Sequence, residues 1–126
     1  GGNSNWRGPV WVPINFIIIQ SIRRLGKFYH DHVMVQYPTG AGVDMNLFNV
    51  STELSKRVIS LFEKDKNGDR PIYGPYNWFY RQPENEDLIL FYEYFNGDTG
   101  RGLGASHQTG WTALVAELIS EMADKE

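Results

Sequence analysis

From Val12 to Tyr29 the apolar residues Ile14, Ile17, Ile18, Ile22, Leu25 and Phe28 recur three and four positions apart, the spacing of one helix face. Pro13 suits the first turn of such a helix, where no amide hydrogen is needed. Arg23, Arg24 and Lys27 read as its wet side, and their charge suits a helix C-terminus. A second helix is predicted from about Leu47 to Lys64. Leu47, Val50, Leu54, Val58, Leu61 and Phe62 share one face, with Glu53, Lys56, Arg57 and Glu63 on the other. Asn46 stands where an N-cap belongs. A third helix is predicted over about Gly110 to Ala123, capped by Thr109, with Trp111, Leu114, Val115, Leu118, Ile119 and Met122 turned inward.

The segments between these helices are long. His30 to Thr39 reads as extended, with Val33 and Val35 alternating, until Pro38, Gly40 and Gly42 break it. Asp65 to Asp69 is a turn. It starts like a calcium loop, but Pro71 stands where that loop's glutamate and helix would follow. Arg70 to Tyr80 reads as an ordered aromatic loop and Gln82 to Asp87 as polar surface. The run Leu88–Phe95 is too short for periodicity to choose between a buried strand and a helix end. The pattern predicts an all-α fold with short β and loop insertions, in one domain spanning residues 1–126. Three amphipathic helices joined by long loops do not close a core as readily as a bundle with short ones.

Composition narrows the chemistry. The chain has 126 residues, 41% hydrophobic and 14% aromatic, with four Trp and seven Tyr. Aromatics at this density serve a core or a carbohydrate platform. Net charge is -3 and no basic cluster extends beyond Arg23-Arg24, which argues against a nucleic-acid partner. There is no cysteine, hence no disulfide framework or thiolate chemistry, and this fits a reducing compartment. No targeting segment is visible, and the run Ile14–Ile19 is far too short to cross a bilayer. The chain begins just before a dense motif, which reads as a fragment with partner segments upstream.

Three stretches carry candidate chemistry. Glu93 sits among Phe91, Tyr92, Tyr94 and Phe95, ahead of a loop with glycine at 97, 100, 102 and 104. By alternation it is an outward-facing polar residue on a half-buried strand. As a carboxylate walled by aromatics, it is a candidate acid or base. The loop Asn5-Trp6-Arg7-Gly8-Pro9-Val10-Trp11 is either a packed helix start or a stacking platform with a guanidinium for sugar hydroxyls. His107-Gln108-Thr109-Gly110-Trp111 places a histidine beside a helix N-terminus, as a capping residue or a neutral hydrogen-bonding one. His30-Asp31-His32 offers two imidazoles but no evident third metal ligand. Asp98 reads as a turn residue. No phosphate loop, dinucleotide fingerprint or serine elbow occurs.

Taken together, Trp6-Arg7-Gly8-Pro9-Val10-Trp11, Phe91-Tyr92-Glu93-Tyr94-Phe95-Asn96 and Gly104-Ala105-Ser106-His107-Gln108-Thr109-Gly110-Trp111 resemble the C-terminal signatures of glycoside hydrolase family 63. That is the family of processing α-glucosidase I (mannosyl-oligosaccharide glucosidase) and large bacterial relatives. The resemblance is closest to the bacterial members and runs from Gly1 to about Ile119. It implies the last helices of an (α/α)6 toroid and a cytoplasmic, bacterial setting. It further implies an inverting hydrolysis of α-glucosides or α-mannosides by an Asp acid and a Glu base, with no cofactor. The base motif falls on Glu93. Trp6, Arg7, Trp11, His107, Gln108 and Trp111 fall on the rim of the sugar pocket. No segment here matches the acid motif, which in full-length members lies upstream, so the missing N-terminal part of the catalytic domain is the expected partner. An isolated fragment is then expected to be inactive. The competing class is a non-catalytic carbohydrate-binding or scaffolding module that keeps the aromatic platform.

Overall fold

Helix α1 spans Val12–Tyr29, as its period predicts, but it turns a different face inward. The structure, a computed structural model, describes residues 9–124. Val12, Ile19 and Gly26, at a heptad interval, are buried, whereas Ile14, Ile17, Ile18, Leu25 and Phe28 are exposed. Ile17 is 62% exposed and Phe28 76%. Gly26 explains the rotation. A Cβ there would lie 2.2 Å from the Phe48 amide nitrogen, so α1 meets its neighbour backbone to backbone. The apolar stripe that periodicity marks is therefore not the packed face, because a backbone contact at a glycine leaves no hydrophobic signal.

After a 3-10 turn at His30–His32, strand β1 (Met34–Gln36) pairs antiparallel with β2 (Asp44–Asn46), Val35 opposite Met45. The stretch expected to be extended throughout is thus part turn and part strand. Helix α2 (Leu47–Ser60) begins as expected, with Asn46 Oδ1 accepting the Asn49 N–H at 2.8 Å. Val50 and Val58 of its predicted apolar face are buried. The helix stops short of Lys64 because Leu61 and Phe62 leave it in a turn. There the Leu61 carbonyl accepts from Ile72 N–H, and the Phe62 carbonyl accepts from the Arg70 guanidinium.

The aromatic loop forms a 3-10 segment, Pro71–Tyr76, and a short helix α3, Asn77–Tyr80. Tyr73 is buried and stacks on Tyr80 at 3.8 Å, and its hydroxyl donates to the Leu88 carbonyl at 2.5 Å. Strands β3 (Tyr94–Phe95) and β4 (Gly102–Leu103) form a second antiparallel pair. In place of one C-terminal helix there are two, α4 (Thr109–Thr112) and α5 (Leu114–Ala123), parted at Ala113. Thr109 is the first helical residue and not the cap. Gln108 precedes the helix without a side-chain capping bond. Val115 and Leu118 are buried as expected, while Ile119 is exposed. Glu121 of α5 ties back to α1, accepting from Arg23 at 2.5 Å and Gln20 at 2.7 Å. Arg23 is therefore an ion-paired residue between helices and not part of the wet side.

The core draws on every part of this mostly helical chain: Val12, Ile19, Val58, Phe62, Ile72, Tyr73, Phe95, Val115 and Leu118. The most extensive packing is between α1 and α2, and α5 leans on both. Phe95, with no exposed surface, brings β3 into this core and so fixes where Glu93, two residues earlier, can stand.

Candidate active site

β3 is held on both edges. Val10 N–H donates to the Phe95 carbonyl at 2.7 Å, and Phe95 N–H to the Val10 carbonyl at 2.9 Å. On the other edge Tyr94 faces Leu103 and Phe95 faces Gly102. Just before β3, the Glu93 N–H donates to the Ala105 carbonyl at 2.8 Å. The Trp111 indole N–H donates to the Glu93 carbonyl at 3.0 Å, and the Thr112 hydroxyl donates to the Tyr92 carbonyl. The backbone around Glu93 is thereby tied to α4 as well as to the glycine loop.

The Glu93 side chain is half-buried and is itself anchored. Its Oε2 accepts the Ala105 N–H at 3.1 Å. Gly104, at φ +72°, passes so close that a Cβ there would lie 2.6 Å from Oε2 and 2.9 Å from the Tyr94 ring. Glycine meets both demands, the left-handed backbone and the close approach. Tyr94 stacks on Trp11 at 4.8 Å, and Trp11 meets Trp111 at 5.6 Å. Trp11, Tyr94 and Trp111 thus form one aromatic group beside Glu93. Tyr92 turns elsewhere, over Gly102 and toward the Tyr73–Tyr80 pair. Burial, with the neighbouring Tyr80 and Tyr73, pushes its hydroxyl up to about 12. Burial also raises Tyr73 above the ordinary tyrosine value.

Of the residues singled out from the sequence, Trp11 and Trp111 meet through their rings, and the Trp111 indole joins Glu93 at its backbone carbonyl. Trp11 is the most enclosed of them, 8% exposed. His107 and Gln108 join the same framework through backbone: His107 bridges Phe91 in parallel, and Gln108 N–H donates to the Phe91 carbonyl at 2.8 Å. The His107 side chain is exposed and makes no hydrogen bond to Glu93 among the described residues. Trp6 and Arg7 lie outside the described residues. Asp98 is a turn residue, as expected, its N–H bonded to Asn96 Oδ1 at 2.8 Å. In the His30-Asp31-His32 segment, Asp31 accepts from Asn46 Nδ2 at 2.7 Å. Sequence reading missed Gly104, Ala105 and Thr112 as partners of the glutamate segment. Only the glycine density of the loop signalled the first.

A groove of about 770 Å³ lies elsewhere. It runs between α2 and α5 over Ile59, Phe62, Ile89, Phe91, Val115 and Ile119. Its walls are mainly apolar, with Glu63, Lys64 and Arg70 at one side and Glu63 their one carboxylate, so we place the candidate acid–base chemistry at the Glu93 frame rather than in this groove.

A carboxylate anchored by an amide and set beside a group of aromatic rings, on a helix-rich scaffold, is the class of site defined here. Over most of its length the chain is distantly similar to mannosyl-oligosaccharide glucosidases. It is 29% identical over 122 residues to a probable mannosyl-oligosaccharide glucosidase of Schizosaccharomyces pombe, covering 95% of this chain. It is 25% identical over 115 residues to the mannosyl-oligosaccharide glucosidase of Saccharomyces cerevisiae, covering 90%. Identity is higher, 51% over 124 residues and 97% of this chain, with an uncharacterized protein of Saccharomyces cerevisiae. The chain spans 11% of the length of each of these relatives. No protein-family model matches it. No solved structure matches it either.

Proposed function

We propose that this chain supplies part of the sugar site of an inverting α-glycosidase of the family 63 type, acting on α-glucosidic or α-mannosidic bonds with Glu93 as general base. The observation that carries this reading is the anchoring of Glu93 beside Trp11, Tyr94 and Trp111. The distant similarity to mannosyl-oligosaccharide glucosidases supports it. In this mechanism a Glu93 oxygen takes a proton from water as that water attacks the anomeric carbon. An aspartic acid outside these residues protonates the leaving oxygen from the opposite face. The two carboxyl groups stand about 6.5–9.5 Å apart to leave room for the water. Trp111 walls the sugar, with the enclosed Trp11 packed behind it, and Trp6, Arg7, His107 and Gln108 belong to its rim. The chain is the C-terminal segment of an (α/α)6 toroid, and the remaining helices of that domain are its partner.

Glu93→Gln in the full-length protein tests this. Turnover of the best α-glucoside or α-mannoside is expected to fall by about 10²–10⁴-fold or more, with inhibitor binding retained. Near wild-type hydrolysis by that variant overturns the assignment. A wild-type protein that binds these sugars without hydrolysing them moves the reading to a carbohydrate-binding module.

A further inference from the structure

We infer that Gly104 and the Ala105 amide are positioning elements for Glu93, holding carboxylate oxygen Oε2 so that Oε1 alone is presented to the reactants. The inference rests on the reading of Glu93 as the base. A glutamate side chain is long and rotates freely, whereas proton abstraction needs its acting oxygen within hydrogen-bond reach of one water. Two features remove that freedom. The Ala105 N–H reaches Oε2 at 3.1 Å, while Oε1 has no hydrogen-bond partner among the described residues. The backbone of Gly104 then closes over the same oxygen, at a distance where a Cβ would stand 2.6 Å from Oε2 and 2.9 Å from the Glu93 Cβ. The same Ala105 that donates to the carboxylate also accepts the Glu93 backbone N–H at 2.8 Å. Main chain and side chain of Glu93 are thus referenced to one residue, and the loop cannot drift without carrying the carboxylate with it.

A methyl group at position 104 therefore acts in a particular way. The atom nearest to it is the mobile end of a side chain, so the carboxylate is displaced first, and the Glu93 Cβ and the Tyr94 ring, each 2.9 Å away, have to shift with it. Every one of these adjustments falls on Glu93 or its neighbour, and the geometry of the base is lost. Gly68 supplies the control: it shares the left-handed backbone, at φ +80°, but has nothing within 4 Å of a Cβ. Gly68→Ala carries the conformational strain without the contact.

The test compares Gly104→Ala, Gly68→Ala and Glu93→Gln in the full-length protein, reading kcat, KM and melting temperature on one substrate. Both variants are expected to lower the melting temperature, Gly104→Ala by more because its methyl group also meets Glu93 and Tyr94. Only Gly104→Ala is expected to lose kcat, by roughly 100-fold, the cost of misplacing a reacting group by about 1 Å, with KM near wild type. Shortening the base in the double variant Glu93→Asp with Gly104→Ala should lose less than the product of the two single losses. Wild-type kcat in Gly104→Ala, or an equal loss in Gly68→Ala, overturns the inference while leaving Glu93 as the base if Glu93→Gln is inactive. Full activity in Glu93→Gln instead removes the functional reading beneath it. Should Gly104→Ala not fold, Ala105→Pro deletes the N–H that reaches Oε2 and carries the same expected loss of kcat and the same reversal.

Discussion

At the scale of single residues, enclosure separates side chains that sequence alone groups together. Trp11 was expected on a sugar-pocket rim, and it is 8% exposed between Tyr94 and Trp111. Trp11→Ala is expected to cost about 3–5 kcal/mol of stability, as for other buried tryptophans. Denaturant unfolding of the variant measures it, and a loss under 1 kcal/mol would return Trp11 to a purely surface role. The buried tyrosines give a pH signature. Tyr92 is raised from 10.0 to about 12, and Tyr73 is raised too, so the native state keeps phenolic protons that the unfolded chain has released. Their contribution to stability is complete below pH 10 and is lost as pH climbs toward 12. Melting temperature followed across that window should fall, and fall less in Tyr92→Phe. Glu93 was legible in the sequence because a lone carboxylate in an aromatic run needs an explanation. Its anchor at Ala105 was not, because a loop returning across a strand leaves no periodic trace.

At the scale of elements, helix starts were more legible than packed faces. Helix α2 begins at the Asn46 cap as expected, and Val50 and Val58 of its expected face are buried, but Ser51 and Ser55, which no apolar pattern marks, are buried beside them. Helix α1 also has a polar and an apolar side, but its orientation is set by Gly26, a residue with no side chain to show in any pattern. The break at Ala113 carries no glycine or proline to announce it, and two-residue strands are shorter than any period can register. Gly26→Ala puts the hypothesis of backbone contact to a direct trial. With a Cβ 2.2 Å from Phe48 N and 2.6 Å from its Cα, α1 and α2 must separate. The expected loss is about 3 kcal/mol, the upper end of over-packing. Gly110→Ala, into open space, should be neutral in the same denaturant titration. Equal midpoints for the two variants would mean that the helices are not in contact at Gly26.

At the scale of the whole molecule, the outward stripe of α1 dominates. Ile14, Ile17, Ile18, Leu25 and Phe28 are all exposed on one long helix. Contiguous apolar surface above a few hundred Å² marks an interface or an aggregation liability. The 126-residue chain produced alone is expected to self-associate. Light scattering should show this, and Ile17→Glu should shift the distribution toward monomer. A monodisperse wild-type monomer would show that the stripe tolerates water. A different consequence follows from the pairing of Val10 with Phe95. It joins Val10, in an isolated bridge, to a residue 85 positions later, and contacts so distant in sequence form slowly. During synthesis Val10 leaves the ribosome long before Phe95 exists, so α1 and α2 can pair while Val10 still waits for its partner. A product released early, before Phe95, lacks more than the glycine loop, because Val10 then loses both backbone hydrogen bonds that tie it to β3.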